Sequence, residues 1–439
     1  MKRECFGSLL KWHESRKRKP LVLMGARQVG KTWLMETFAK ERFGDDYVLV
    51  NFMRQKVLCR QLENVDIDPA GLVRLLQTAT GKRITPGKTL LILDEIQECP
   101  NALTSLKFFC EDMPELSVMA AGSLLGLAYG YGREKESFPV GKVDRLNVYP
   151  MTFSEFLAAN GKAALADAIV AGDWRTVELM APEYVLQLKT YMVTGGMPEA
   201  VDDWRQTGSL VEVRATQKRI LSDYDSDFKK HAPVELLPKI RLVWNNIPAQ
   251  LAKENKKFVY TALKAGARAR EYEVALEWLQ DAGMVHMHYR VCPPRLPLAH
   301  YRDFGAFKLF MHDVGLLGAM SALDPGMVLE ENALFTNFKG AMTEQLVLQE
   351  LKAREVEMGY WTPDSGQAEV GFVVQSKTGV VPVEVKSATN TKAKSLGVYL
   401  NQYAPELAVK TSLKHRSDSG KVRSIPLYAL GLRLADLSA

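Results

Sequence analysis

Short apolar runs separated by helically spaced stretches fill the first 150 residues. Leu21-Val22-Leu23-Met24 is apolar on both faces and ends at a glycine, as a strand buried in a parallel sheet does. Tyr47 to Phe52, Leu90-Leu91-Ile92-Leu93 and Leu116 to Ala121 predict further strands, and Val143 to Tyr149 a last one. Trp33, Leu34, Phe38 and Ala39 recur at helical spacing behind the first run. Leu9, Leu10 and Trp12 form the apolar side of a helix before it. Strands alternating with helices predict an α/β domain: a parallel sheet with helices on both faces.

The pattern then changes. Residues 160 to 230 are mostly helical, punctuated by a tight turn at Gly195-Gly196-Met197-Pro198. The acidic run Ser222 to Asp227 reads as a helix surface. Helices near Val234–Asn245, Pro248–Glu254 and Ala269–Ala282, followed by a strand from Met284 to Val291, have a winged-helix rhythm. Lys256, Lys257, Arg268 and Arg270 could meet phosphate there. Glu271, Glu273, Glu277 and Asp281 on the third helix would repel DNA, which favours a packing or oligomer role. Near the end, a helix at Ala341–Leu348 precedes a hairpin of Glu369–Val374 and Val381–Lys386, turning at Gly379.

At 439 residues the chain has room for two to four domains. The expected division is 1–158, 159–325 and 326–439. No apolar stretch nears the ~20 residues of a membrane span, and residues 2–19 are basic without an apolar signal core, so a cytoplasmic protein is expected. The five cysteines form no CxxC pair and suit a reducing compartment. A net charge of +6 permits nucleic-acid contact without arguing for it.

The chemistry is concentrated at Gly25-Ala26-Arg27-Gln28-Val29-Gly30-Lys31-Thr32, a GxxxxGKT phosphate loop between a strand and a helix. Its glycines let successive backbone N–H groups turn toward phosphate, and the helix N-terminus at Lys31-Thr32-Trp33 adds partial positive charge. Lys31 is expected to reach the β- and γ-phosphates, and the Thr32 hydroxyl to ligate Mg2+. Leu90 to Leu93 runs into Asp94-Glu95, a Walker B pattern. Asp94 is placed to hold the metal and Glu95 to polarise the attacking water. Ser123, at the end of the fourth run, fits the residue that senses the γ-phosphate between the two motifs.

With Leu93-Asp94-Glu95-Ile96-Gln97, Ala121-Gly122-Ser123, Pro150 to Leu157, Gly195 to Pro198 and Phe307 to Leu317, these residues resemble a prokaryotic group of AAA-type ATPases with a C-terminal domain of unassigned function. The resemblance implies ATP as the nucleotide, an AAA-like core, a winged-helix segment and a nuclease-like end. Where that group often carries Gly-Arg before the Pro-x-Thr-Phe block, this chain has Gly141-Lys142. An arginine finger is then open between Arg133 and Arg145, with Lys142 a point charge without the planar fork.

The C-terminal hairpin resembles a restriction-endonuclease-like core, in which an Asp on one strand and Glu-x-Lys on the next hold Mg2+. Glu384-Val385-Lys386 supplies the second part and Glu344 the helix carboxylate, but Gly371 stands where the Asp is expected. Glu369 faces the same side, ~7 Å further along a strand, and could replace it only at a bulge. Three readings follow: an ATPase that repositions its C-terminal parts on a partner protein or DNA, a metal-dependent nuclease, and a nucleotide-dependent scaffold with negligible turnover. Oligomers are compatible with all three.

Overall fold

In the computed structural model, the strand Leu21–Met24 (β1) lies inside a five-stranded parallel sheet with Tyr47–Asn51 (β2), Leu90–Asp94 (β3), Ser117–Ala121 (β4) and Asp144–Asn147 (β5), in the order β2-β3-β4-β1-β5. The structure describes residues 1–63, 68–122, 125, 139–253, 256–330, 336–386 and 394–438. They form two compact units, Lys2–Tyr149 with Glu277–Met284, and Pro150–Leu276 with Val285–Ala439 and Met1.

In the first unit every residue of β3 and β4 is buried, as strands covered on both faces must be. β5 is an edge strand and buries far less. One core joins Val22, Val48, Val50, Leu91, Leu93, Val118 and Ala120 to Leu72, Leu76, Leu106 and Phe109 from helices. The helix Lys31–Phe43 follows β1 and buries Leu34, Met35, Phe38 and Ala39. Trp33, expected on that stripe, is instead 44% exposed. At ~100° per residue it lies off the face shared by Leu34 and Phe38. β4 inserts between β1 and β3, so the strand leading to Ser123 separates the two nucleotide motifs as expected.

The second unit is helical from Pro150 to Leu276 and adds a sheet from Val285 on. A capping box opens the helix Phe153–Ala159: Glu155 N–H donates to Thr152 Oγ1, and Thr152 N–H to Glu155 Oε2. The acidic run lies on the helix Leu210–His231, where Asp225 takes both arms of Arg241 at 2.7 Å. The two helices expected at Val234–Asn245 and Pro248–Glu254 are one helix, Leu237–Leu251. Pro248 removes only the bond to the Trp244 carbonyl, and buried Ile247 and Leu251 hold the last turn in the core. The glycine turn is fixed from outside: Asp313 caps the helix Val314–Met320 and accepts the Gly196 N–H at 2.6 Å.

The strand expected from Met284 to Val291 is Val285–Val291 (β6), and it pairs with Arg302–Met311 (β7). This hairpin joins a mixed sheet with Met358–Trp361 (β8), Val370–Gln375 (β9), Val380–Val385 (β10), Ala408–Ser412 (β11), Ser417–Ser419 (β12) and Val422–Pro426 (β13). The order is β12-β13-β11-β10-β9-β8-β6-β7. Within it, the helix Thr336–Ala353 leads into the antiparallel run β8-β9-β10, and the helix Lys394–Tyr403 crosses to β11, parallel to β10. The whole is an α/β protein. Among the described residues no helix is long and apolar enough to cross a membrane.

Candidate functional site

β1 delivers the chain to Gly25, whose φ of +134° and contact with Val148, just after β5, leave no room for a side chain. A Cβ would lie 2.2 Å from the Val148 carbonyl oxygen. Ala26, Arg27, Gln28 and Val29 then wrap to Gly30, with Gln28 at φ +67° and Gly30 at φ +92°. The turn back to Lys31 is therefore built from left-handed residues. The Lys31 ammonium is buried inside the loop and donates to the carbonyls of Gly25 and Ala26, each at 2.8 Å. Burial brings its pKa down to about 8, with Glu95 and Asp94 pulling it back up. Arg3, also buried, braces the loop from behind: it donates to the Val29 carbonyl at 2.9 Å and to the Tyr149 carbonyl at 2.6 Å.

β3 ends at Asp94 beside the start of the helix Lys31–Phe43. The Thr32 hydroxyl lies 3.2 Å from both Asp94 oxygens, and Asn51 at the end of β2 donates to Asp94 Oδ2 at 2.9 Å. Burial raises the Asp94 pKa and the Glu95 charge adds to the rise, against the hydrogen bonds from Asn51 and Thr32. A hydroxyl and a carboxylate, both hard oxygen donors at the mouth of a phosphate loop, fit Mg2+. Glu95 has φ +51°, a left-handed conformation uncommon outside glycine. Gln97 donates to Glu95 Oε2 at 2.6 Å. Gly122 makes room for that amide, since a Cβ there would lie 2.1 Å from Gln97 Oε1.

The structure thus brings Lys31, Thr32, Asp94 and Glu95 together. Trp33 turns outward, and Ser123 and Arg133 lie outside the described residues. Lys142 is engaged by Glu111 at 2.8 Å, and Arg145 sits exposed on β5. Sequence reasoning missed Arg3, Asn51 and Gln97 as site residues. Asn51 carried a faint signal, as a polar residue ending an apolar run.

A segment far downstream belongs to the same unit. Glu277–Met284 packs with residues 2–149, and Gly283 meets the phosphate loop. Gly283 has φ +73°, and a Cβ on it would lie 2.9 Å from the Ala26 nitrogen and 3.3 Å from the Gly25 carbonyl carbon. The helix Glu273–Asp281 begins in the other unit and ends in this one.

The second candidate cluster lies wholly in the other unit. β9 and β10 pair Val383 with Phe372, a register that sets Glu384 opposite Gly371. Lys386 is 2.7 Å from Glu384. Glu344, on the helix Thr336–Ala353, lies 3.9 Å from where a Gly371 Cβ would be. The Lys308 ammonium takes Glu369 at 2.6 Å, and the β8–β9 register shifts between Gly359 and Trp361, beside Gly371. Lys256 is turned inward onto Glu344 at 2.6 Å rather than outward to phosphate.

His288 on β6 donates from Nε2 to the Gly371 carbonyl at 2.9 Å. Burial pushes its pKa down to about 3, the Gly371 bond opposing and the Lys308 charge assisting. The unfolded chain takes up this proton below pH 6.5 and the folded chain only near 3, so stability falls as pH drops through that window. Between about pH 7 and pH 5 the loss from His288 alone is about 2 kcal/mol. His288→Gln keeps an N–H donor without a titrating ring, and its urea midpoint is expected to fall less than wild type's over that range.

Three stretches match family descriptions: residues 17–157 the "AAA domain", residues 185–326 a "Domain of unknown function (DUF8612)", and residues 339–430 a "Domain of unknown function (DUF4143)". No curated protein matches the chain. Among solved structures, the Walker-type ATPase PABY2304 of Pyrococcus abyssi is 14% identical, with a TM-score of 0.44 over 72% of this chain and 95% of that one. The ORC2 protein of Aeropyrum pernix in its ADPNP-ADP complexes is 16% identical, with a TM-score of 0.37 over 72% and 88%. The ORC1 protein of the same organism in complex with DNA is 15% identical, with a TM-score of 0.27 over 72% and 90%.

Proposed function

We propose that this chain, an AAA-type P-loop protein that ends in a domain of unknown function, binds Mg-ATP, hydrolyses it and uses the cycle to reposition its C-terminal parts. The reading rests on the convergence of Lys31, Thr32, Asp94 and Glu95 at the ends of β1 and β3. In it, the loop N–H groups and Lys31 hold the phosphates. The Thr32 hydroxyl and the Asp94 carboxylate hold the metal, with Asn51 orienting Asp94. A Mg2+ ion held there would supply positive charge against the negative charge that develops on the phosphates in the transition state. Glu95, its Oε2 engaged by Gln97, offers Oε1 to the attacking water and takes its proton.

Gly283 supports the switch. Its backbone lies against the Ala26 amide, so a phosphate that reorders the loop also acts on the segment Glu277–Met284 and the helix that leads into it. The parts moved are the winged-helix region 159–325 and the restriction-endonuclease-like core 326–439, acting on a partner protein or DNA.

The test is phosphate release from Mg-ATP by the full chain and by Lys31→Ala, with and without duplex DNA. Release by the wild type that Lys31→Ala lowers by about 100-fold or more is expected, the loss of charge-assisted contacts to two phosphates. Equal release by both would sink the assignment. Stimulation by DNA would make DNA the partner, and indifference to it would leave a protein.

A further inference from the structure

The topology of helix, three antiparallel strands, helix and parallel strand gathers three carboxylates, Glu344, Glu369 and Glu384, on one side of the C-terminal sheet. Their arrangement does not fit a divalent metal. Gly371, opposite Glu384, offers no ligand. Each carboxylate is already matched by an ammonium: Glu344 by Lys256 at 2.6 Å and Lys308 at 3.4 Å, Glu369 by Lys308 at 2.6 Å, and Glu384 by Lys386 at 2.7 Å. Three negative charges and three positive ones leave nothing for an incoming cation to neutralise. Among the described residues, no group of three His, Cys, Asp or Glu side chains is arranged to hold a metal ion.

Lys308 is the central member. Its side chain is fully buried, on β7 across from His288, with the ammonium 5.0 Å from the centre of the Tyr360 ring. An ammonium without access to water persists only where carboxylates compensate its lost hydration. Burial would lower its pKa, but the Glu344 and Glu369 charges outweigh burial and hold it above the ordinary lysine range. Burial likewise acts to raise Glu344, and Lys308 with Lys256 bring it down to about 2. Both partners are therefore charged throughout the neutral range.

We propose that the Lys308 ammonium is the permanent cation of this cluster, serving in place of a divalent metal, so that the C-terminal core works without a metal ion and does not cleave phosphodiesters. The residue that makes the difference arrives from β7, outside the helix and hairpin that carry the carboxylates. Exchanging the ammonium for a metal would force Lys308 out of a closed position and would still leave the metal one ligand short at Gly371.

The experiment is Mn2+ binding to the nucleotide-free full chain, read by the electron paramagnetic resonance of unbound Mn2+ and by thermal melting. Wild type and Glu384→Gln should take up the same amount of Mn2+, with melting unmoved by about 1 mM of the ion, a level that populates even weak protein sites. Lys308→Met removes the cation and leaves the carboxylates in excess. It should melt several degrees below wild type, take up Mn2+ that wild type does not, and regain part of its melting temperature when Mn2+ is added. Two results would overturn the proposal: Mn2+ bound by wild type and lost in Glu384→Gln, or a folded Lys308→Met that melts like wild type and gains no Mn2+. Should Lys308→Met fail to fold, the comparison of wild type with Glu384→Gln decides.

Discussion

Glu95→Gln is expected to lower ATP turnover by about 10²–10⁴-fold, the range a positioned general base supplies, while ATP binding stays close to wild type. The substitution is nearly isosteric, so the left-handed turn at Glu95 and the contact with Gln97 can survive it. What goes is the carboxylate proposed to accept the water proton. Binding should hold because the proposed phosphate contacts come from Lys31 and the loop amides. Asp94 even gains as a metal ligand: the Glu95 charge helps push its pKa up, and removing that charge favours the ionised form. Lys31 moves the other way. Glu95 is the largest influence opposing the burial that brings Lys31 down to about 8, so without it ATP binding should weaken at a lower pH than in wild type. Single-turnover phosphate release beside equilibrium ATP binding across about pH 6 to pH 9 separates the two effects. Unchanged release with altered binding would assign Glu95 to the nucleotide and not to the water.

The candidate nucleotide site was legible where its residues are consecutive. The phosphate loop and Asp94-Glu95 are local patterns whose glycines, lysine and carboxylates sit at strand ends, and buried strands announce themselves as apolar runs. The strand expected from Met284 to Val291 was legible for the same reason, and β6 covers all but its first residue. What escaped reading is whatever arrives from afar. Arg3 is one of many N-terminal basic residues, and nothing in its neighbourhood says that it will brace Val29 and Tyr149. Lys308 sits in an apolar strand, where a buried charge demands partners, but no spacing names Glu344 and Glu369. Local rules also misled at Trp33, where an aromatic within a helical pattern was assigned inward, and at Pro248, where a helix-breaking residue falls a turn before the end of a helix that core contacts carry through.

Gly283→Ala is expected to weaken ATP binding by about 10–100-fold, the value of one charge-assisted hydrogen bond from the loop. The new Cβ would lie 2.9 Å from the Ala26 nitrogen, and the neighbour is backbone, which cannot swing aside as a side chain can. Ala26 has little slack: Gly25 before it is already pressed against the Val148 carbonyl, and Lys31 is anchored to the carbonyls of both. Relief must come either from turning the Ala26 amide off the phosphates or from pushing Glu277–Met284 away from the loop. Adding a side chain at φ +73° carries its own cost of about 1–2 kcal/mol, which could lower stability without touching the site. Gly266 supplies the control. Its φ is +76°, and a Cβ there meets nothing within 4 Å, so Gly266→Ala carries the same backbone strain in open space. Equal stability losses, with ATP affinity lost only in Gly283→Ala, would tie the downstream segment to the phosphate loop. Equal affinities in the two variants would mean that the loop does not feel that segment, and the proposed switch would need another route to the C-terminal parts.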